Sequence, residues 1–147
     1  MCDDPDSQSK LQKEVKILEN LQGGVNVIEL KSVIEDPATQ TQSLVFEFVN
    51  GSDLRELYHS LSDYDTRHYI YQVLKALDYC HSMGIMHRDI KARNVMVDDK
   101  NKTVRLIDFG LAEFYHPGLA TNKYFSSLLH EKKYSSKNYL PEKGRRN

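Results

Sequence analysis

Cysteine is scarce here: Cys2 and Cys80 are the only two in 147 residues. Two thiols cannot build a disulfide framework, and no cysteine–histidine cluster has the spacing of a zinc site. Cys80 lies beside Leu77 in a helical pattern and reads as a small buried apolar residue rather than a nucleophile. A charge of one sign is also lacking. The net charge of -1 gives no bulk electrostatic case for nucleic acid as a partner. No apolar run approaches the length of a membrane span. The opening Met1-Cys2-Asp3-Asp4-Pro5-Asp6 is acidic and polar, the opposite of a secretory signal. These absences lead to the expectation of a soluble protein of a reducing, intracellular compartment, with no membrane partner.

Hydrophobic residues make up 39% and charged residues 28%, which suits a globular chain with a real core and argues against global disorder. The first nine residues read as disordered. Ser9 with Gln12 predicts a capping box opening a helix, with Leu11, Val15, Leu18 and Leu21 on its apolar face and Gly23-Gly24 at its end. Val27 to Val33 and Ser43 to Phe48 predict two strands. Joined by the turn at Asp36-Pro37-Ala38, they make an antiparallel hairpin. Asp53 to His59 predicts a short helix. Ser62 with Asp65 caps a longer one from about Tyr64 to Met83, striped by Tyr69, Ile70, Val73, Leu74 and Leu77 and ended by Gly84. Two short strands follow, near Val95 to Val97 and Val104 to Ile107. Residues 131 to 147 are rich in lysine and arginine, carry little periodicity and read as loosely ordered.

The stretch His87-Arg88-Asp89-Ile90-Lys91-Ala92-Arg93-Asn94, followed by Asp108-Phe109-Gly110, matches the protein-kinase catalytic loop and magnesium-binding triplet, in the right order. Longer segments carry a finer resemblance. Lys16-Ile17-Leu18-Glu19-Asn20-Leu21, Leu44-Val45-Phe46-Glu47-Phe48-Val49-Asn50, the run from Leu74 to Asp89, Leu106-Ile107-Asp108 and the run from Leu111 to Gly118 resemble the catalytic alpha subunit of casein kinase II. The likeness extends from about Leu11 to Gly118. Ala92-Arg93 stands where that family usually has proline-histidine, and Phe109 where it has tryptophan.

The resemblance implies an α+β, partial protein-kinase-like fold. An incomplete small-lobe antiparallel sheet with one helix would precede a hinge, a long helix and the catalytic loop of the large lobe. The expected organisation is a disordered 1–9, a partial small lobe over 10–49, a hinge and partial large lobe over 50–118, and a divergent basic tail over 119–147. The implied activity is transfer of the ATP γ-phosphate to serine and threonine hydroxyls, and the implied location is nucleus and cytoplasm. Asp89 would accept the substrate hydroxyl proton and Lys91 would neutralise the transferring phosphate. Asn94 and Asp108 would hold Mg2+. Phe46, Glu47, Phe48, Val49, Asn50, Asp53, Met96 and Ile107 would line the ATP site, with the backbone from Glu47 to Asn50 binding adenine and Phe46 guarding a back pocket. Simple strand packing explains Phe46 and Phe48 equally well, and an N-cap explains Asp53. His87 reads as a hydrogen-bonded structural residue, and His68 and His81 as packed or solvated. Glu14 aligns with the helix glutamate that pairs with a strand lysine in the family. With no such strand in the sequence, it reads as a solvated helix residue.

The sequence has no glycine-rich phosphate loop, no strand lysine and none of the family's large-lobe helices after the activation segment. Losing a cradle of electrostatic donors costs transition-state stabilisation heavily, so at best weak ATP binding, and weak or absent activity, are expected of this chain alone. Protein substrates are the implied partners. The family's regulatory beta subunit is another, although much of the small-lobe sheet it docks on is not in this sequence. A non-catalytic interaction fragment and a piece of a longer kinase remain the alternative readings. Apolar faces left without cover are expected to be exposed and to promote association.

Overall fold

The computed structural model describes residues 5–39 and 41–116. The chain divides into a compact unit from Met1 to Tyr115 and a second from His116 to Asn147, and only His116 of the second is described. The expected basic tail therefore lies outside the described residues.

Helix α1 spans Pro5–Asn20. It begins at proline, whose fixed φ and missing N–H suit the first helical position, and not at a Ser9 capping box. Residues 5–9 are helical rather than disordered. Ile17, Leu18 and Leu21 are buried, whereas Leu11 and Val15 are half-buried. Gly23, with φ of 74°, lies in the left-handed region and turns the chain.

The hairpin pairs β1 (Leu30–Glu35) with β2 (Gln42–Phe46). It starts later than the sequence pattern suggested because Val27 and Ile28 are used elsewhere. Val27 bridges Leu106 in parallel, Ile28 N donates to Leu106 O at 3.0 Å and Leu106 N donates to Asn26 O at 2.7 Å. These bonds tie the end of the α1 region to the central sheet. The turn between β1 and β2 is closed by Asp36, whose Oδ1 accepts from Ala38 N at 2.9 Å, the local bond that favours Asp in turns.

The central sheet has the order β3 (Ser52–Asp53), β5 (Val95–Asp98), β6 (Thr103–Leu106), all antiparallel. Helix α2 (Leu54–Leu57) is capped by Asp53, which accepts from Glu56 N. Helix α3 (Asp63–Ser82) is capped by Ser62 as the sequence indicated. The Ser62 hydroxyl accepts from Asp65 N at 3.0 Å and donates to its carboxylate at 2.7 Å. Gly84, with φ of 69°, ends the helix. Two short strands, β4 (Ile85–Met86) and β7 (Glu113–Phe114), then pair on either side of the functional loops.

The face of α3 departs from the expected stripe. Tyr69, Ala76 and Cys80 are buried, while Ile70 is 52% and Leu74 57% exposed. The helix buries only the side that meets β4 and β6. The half-buried Val73 and Leu77 pack against that core. The Tyr69 hydroxyl crosses to Asp99 Oδ1 at 2.5 Å, and Lys102 joins Asp99 to Asp65 at 2.8 and 3.2 Å. Cys80 behaves as expected: burial pushes its thiol up to about 11, where it is inert.

Gly51 sits hard against the backbone of β5. A Cβ there would overlap the carbonyl of Val97, next to the Ser52–Val97 pair of β3 and β5. The obstacle is backbone, which cannot rotate away. Gly51→Ala should therefore destabilise by about 2–3 kcal/mol. Chemical denaturation of the two proteins checks this.

Candidate active site

The site is built where α3 gives way to loops over the central sheet. Strand β4 delivers His87, Arg88 and Asp89. A 3-10 turn, Ala92–Asn94, then lifts the chain into β5. Strand β6 returns it to Ile107 and Asp108. Two residues of this region hold left-handed backbone without being glycine: Arg88 at φ of 65° and Asp108 at φ of 63°. Such conformations are uncommon and cluster where surroundings impose them on functional loops.

Asp89 is the hub. Its Oδ2 accepts from Lys91 Nζ at 2.5 Å and from Asn94 Nδ2 at 2.9 Å. Asn94 Nδ2 also donates to the Asp89 carbonyl at 3.0 Å. Asn94 is buried, with its N–H bonded to Lys91 O and its carbonyl taking Ile107 N, both at 2.9 Å. This last bond joins the loop carrying Asp89 to the strand end carrying Asp108. The Asn94 amide nitrogen is committed to Asp89, so its side-chain oxygen is the acceptor presented elsewhere.

His87 is buried and serves as a strut. Asp89 N donates to its Nδ1 at 3.3 Å, so Nε2 carries the proton that goes to Ile107 O at 3.0 Å. The ring meets Phe109 edge-on with centroids 4.7 Å apart. Burial pulls its pKa below the ordinary 6.5, although the Ile107 carbonyl and the charges of Asp89 and Asp108 oppose this. The unfolded chain then binds the proton more readily than the folded one. Stability should be full above pH 6.5 and fall as pH drops below it toward the lower folded pKa. A His87→Gln variant should lose that part of the slope in thermal melts between pH 7.5 and 5, as about one titrating group's worth.

Arg88 Nε donates to Leu111 O at 2.6 Å, and its guanidinium lies 3.7 Å from Glu113. Lys13 on α1 reaches the same carboxylate at 2.9 Å. Nothing in the spacing of the sequence pointed to Glu113 as the carboxylate that fastens α1 to the catalytic loop. The same fastening overturns the reading of Glu14 as solvated. Held by Lys13 on one side and by buried Ile17 and Leu18 on the other, α1 turns Glu14 toward the Asp108–Gly110 segment. Glu14 Oε2 is 3.6 Å from where a Cβ on Gly110 would lie. Burial, and then the charge of Asp108, hold its carboxyl above the usual value.

The residues expected to hold ATP are spread more widely. Asp53 pairs with Met96 across β3 and β5, and Ile107, just beyond β6, is half-buried against the core. Asp53 acts as the N-cap of α2, the simpler of its two readings. Glu47 accepts from Glu29 N at 3.1 Å and from Arg105 Nε at 2.8 Å. Val49 is half-buried and Asn50 exposed. Phe46, at the end of β2, is 38% exposed, and Phe48, beyond the strand, is 88% exposed, so strand packing does not account for Phe48. Among the described residues, the β1–β2 sheet has no third strand against which they could be buried.

The donor set suits magnesium. A carboxylate at Asp108 and an amide oxygen at Asn94 are hard oxygen ligands, and Mg2+ ordinarily takes one or two protein oxygens and completes its shell with water and phosphate. No group of three or more His, Cys, Asp or Glu side chains that could hold a metal occurs among the described residues. A phosphate-completed site would need no such group.

A family model described as protein kinase domain matches residues 2–144. The chain belongs to the protein kinase family. Its α+β architecture is a partial protein-kinase fold, with an incomplete small-lobe sheet and one helix followed by the long helix and catalytic loop of the large lobe. Kinases of this family generally use ATP and Mg2+ and phosphorylate proteins.

Proposed function

We propose that this chain carries the phosphoryl-transfer site of a serine/threonine protein kinase of the casein kinase II alpha type. The observation that carries the reading is the double hold on Asp89 by Lys91 and Asn94. It fixes one carboxylate oxygen and leaves the other to meet a substrate hydroxyl. Phosphoryl transfer asks a protein mainly for positioning and charge neutralisation. Asp89 orients the hydroxyl and takes its proton. Lys91, already at the carboxylate, moves its charge toward the transferring phosphate. Asn94 and Asp108 would hold Mg2+, which supplies neutralisation of phosphate charge when bound. Adenine would lie along the backbone from Glu47 to Asn50, flanked by Phe46, Phe48, Val49, Met96 and Ile107, with the ribose near Asp53.

The assignment to the casein kinase II alpha type, the preference for serine and threonine and a location in nucleus and cytoplasm rest on the resemblance of Leu74 to Asp89 and Leu111 to Gly118. The regulatory beta subunit belongs to the same proposal, as a partner of the β1–β2 region. The test is transfer of labelled γ-phosphate to paired peptides differing only in serine, threonine or tyrosine at the acceptor. Transfer to the first two but not the third supports the reading. Transfer to tyrosine, or equal transfer by Asp89→Asn, overturns it.

A further inference from the structure

We infer that α3 is a self-association surface on which two copies of this chain pair antiparallel. The exposed side of the helix is apolar at its centre and polar at its ends. Ile70 and Leu74 are 52% and 57% exposed and lie one turn apart on one face. On a helical projection Asp63 and His81 fall on the same stripe, with Arg67 and Asp78 along one side of it. A single exposed leucine would need no explanation. A stripe with an apolar middle and polar ends is what a helix–helix seam presents.

The charges select the occupant. When two copies of α3 are laid antiparallel on a two-fold axis level with Gln72, Ile70 falls opposite Leu74 of the second copy, and Leu74 opposite Ile70. The same axis places Asp63 opposite His81, and Arg67 within one residue of the level of Asp78 on the same side of the seam, each twice. Arg67 and Asp78 then face opposite charges across the seam. A parallel pair would instead set Arg67 against Arg67 and Asp78 against Asp78, a like-charge arrangement that costs stability. A two-fold pairing is isologous and closes as a dimer rather than growing into a filament. Arg67 already meets Asp63 within its own helix at 2.9 Å, but both groups are about 80% exposed. Such a pair is worth little and exchanges readily for one across the seam. With two apolar side chains per copy at its centre, the contact is at the small end of specific interfaces, so the dimer is weak and depends on concentration.

The test is sedimentation velocity on the 147-residue chain from low micromolar to several hundred micromolar. A monomer–dimer equilibrium is expected. Leu74→Glu should raise its dissociation constant at least about tenfold while leaving the helical circular dichroism unchanged. Arg67→Glu and Asp78→Arg should each weaken the dimer, and the two together should restore it, because the exchanged charges face each other again. If Leu74→Glu lost helix, the charge exchange alone would decide. A chain that stays monomeric throughout overturns the proposal and assigns the face to some other cover. A dimer indifferent to these substitutions, or one not rescued by the double exchange, overturns it equally.

Discussion

Phe109→Ala should cost about 3–5 kcal/mol, as for other buried aromatic truncations. Phe109 is 1% exposed, sits between the Asp108 backbone and the core, and is the aromatic partner of the buried His87. Its carbonyl also receives Ala112 N at 2.9 Å, which shapes the turn into β7. Small domains are marginally stable, at about 5–15 kcal/mol, so the loss would take much of the whole. Urea denaturation should show a lower midpoint with a similar slope. A change under about 1 kcal/mol would mean that the core relaxes into the space, contrary to the close packing described.

Asp89→Asn should reduce phosphoryl transfer by about a hundred- to ten-thousandfold, the range expected for loss of a positioned proton acceptor. Asparagine keeps the size of the side chain and can still accept from Asn94 through one oxygen. It loses the charge that holds Lys91 and the basicity that takes the hydroxyl proton. In the proposed role Asp89 meets the hydroxyl rather than the nucleotide, so affinity for ATP should change little. Activity and nucleotide affinity measured on the same preparations check the split. An equal fall in both would mean that Asp89 holds the loop together instead of acting on the substrate.

The elements set by local chemistry were legible in the sequence. Ser62 and Asp65 start α3, Gly84 ends it, and Asp36 closes the hairpin, because each acts within a few residues of itself. The catalytic loop was equally legible, since Asp89, Lys91 and Asn94 lie within one turn of chain. What the sequence concealed depends on distant neighbours. Val27 and Ile28 alternate like a strand but are drawn to β6. Ile70 and Leu74 look like core because an apolar stripe does not say which of its sides will meet the sheet. Glu14 read as solvated because nothing local ties Lys13 to Glu113, a hundred residues away. The helix start at Pro5 was obscured by a plausible capping pair at Ser9 and Gln12.

The account turns on whether Asn94 and Asp108 together form a Mg2+-dependent nucleotide phosphate site. The most direct measurement is calorimetric titration of the folded chain with ATP, with and without Mg2+, beside Asp108→Ala. The expected result is weak binding that requires Mg2+ and disappears in Asp108→Ala, whose fold is checked by circular dichroism because Asp108 is exposed but holds a φ of 63°. Binding that ignores both Mg2+ and Asp108, or no binding up to millimolar ATP in a folded sample, would contradict the account.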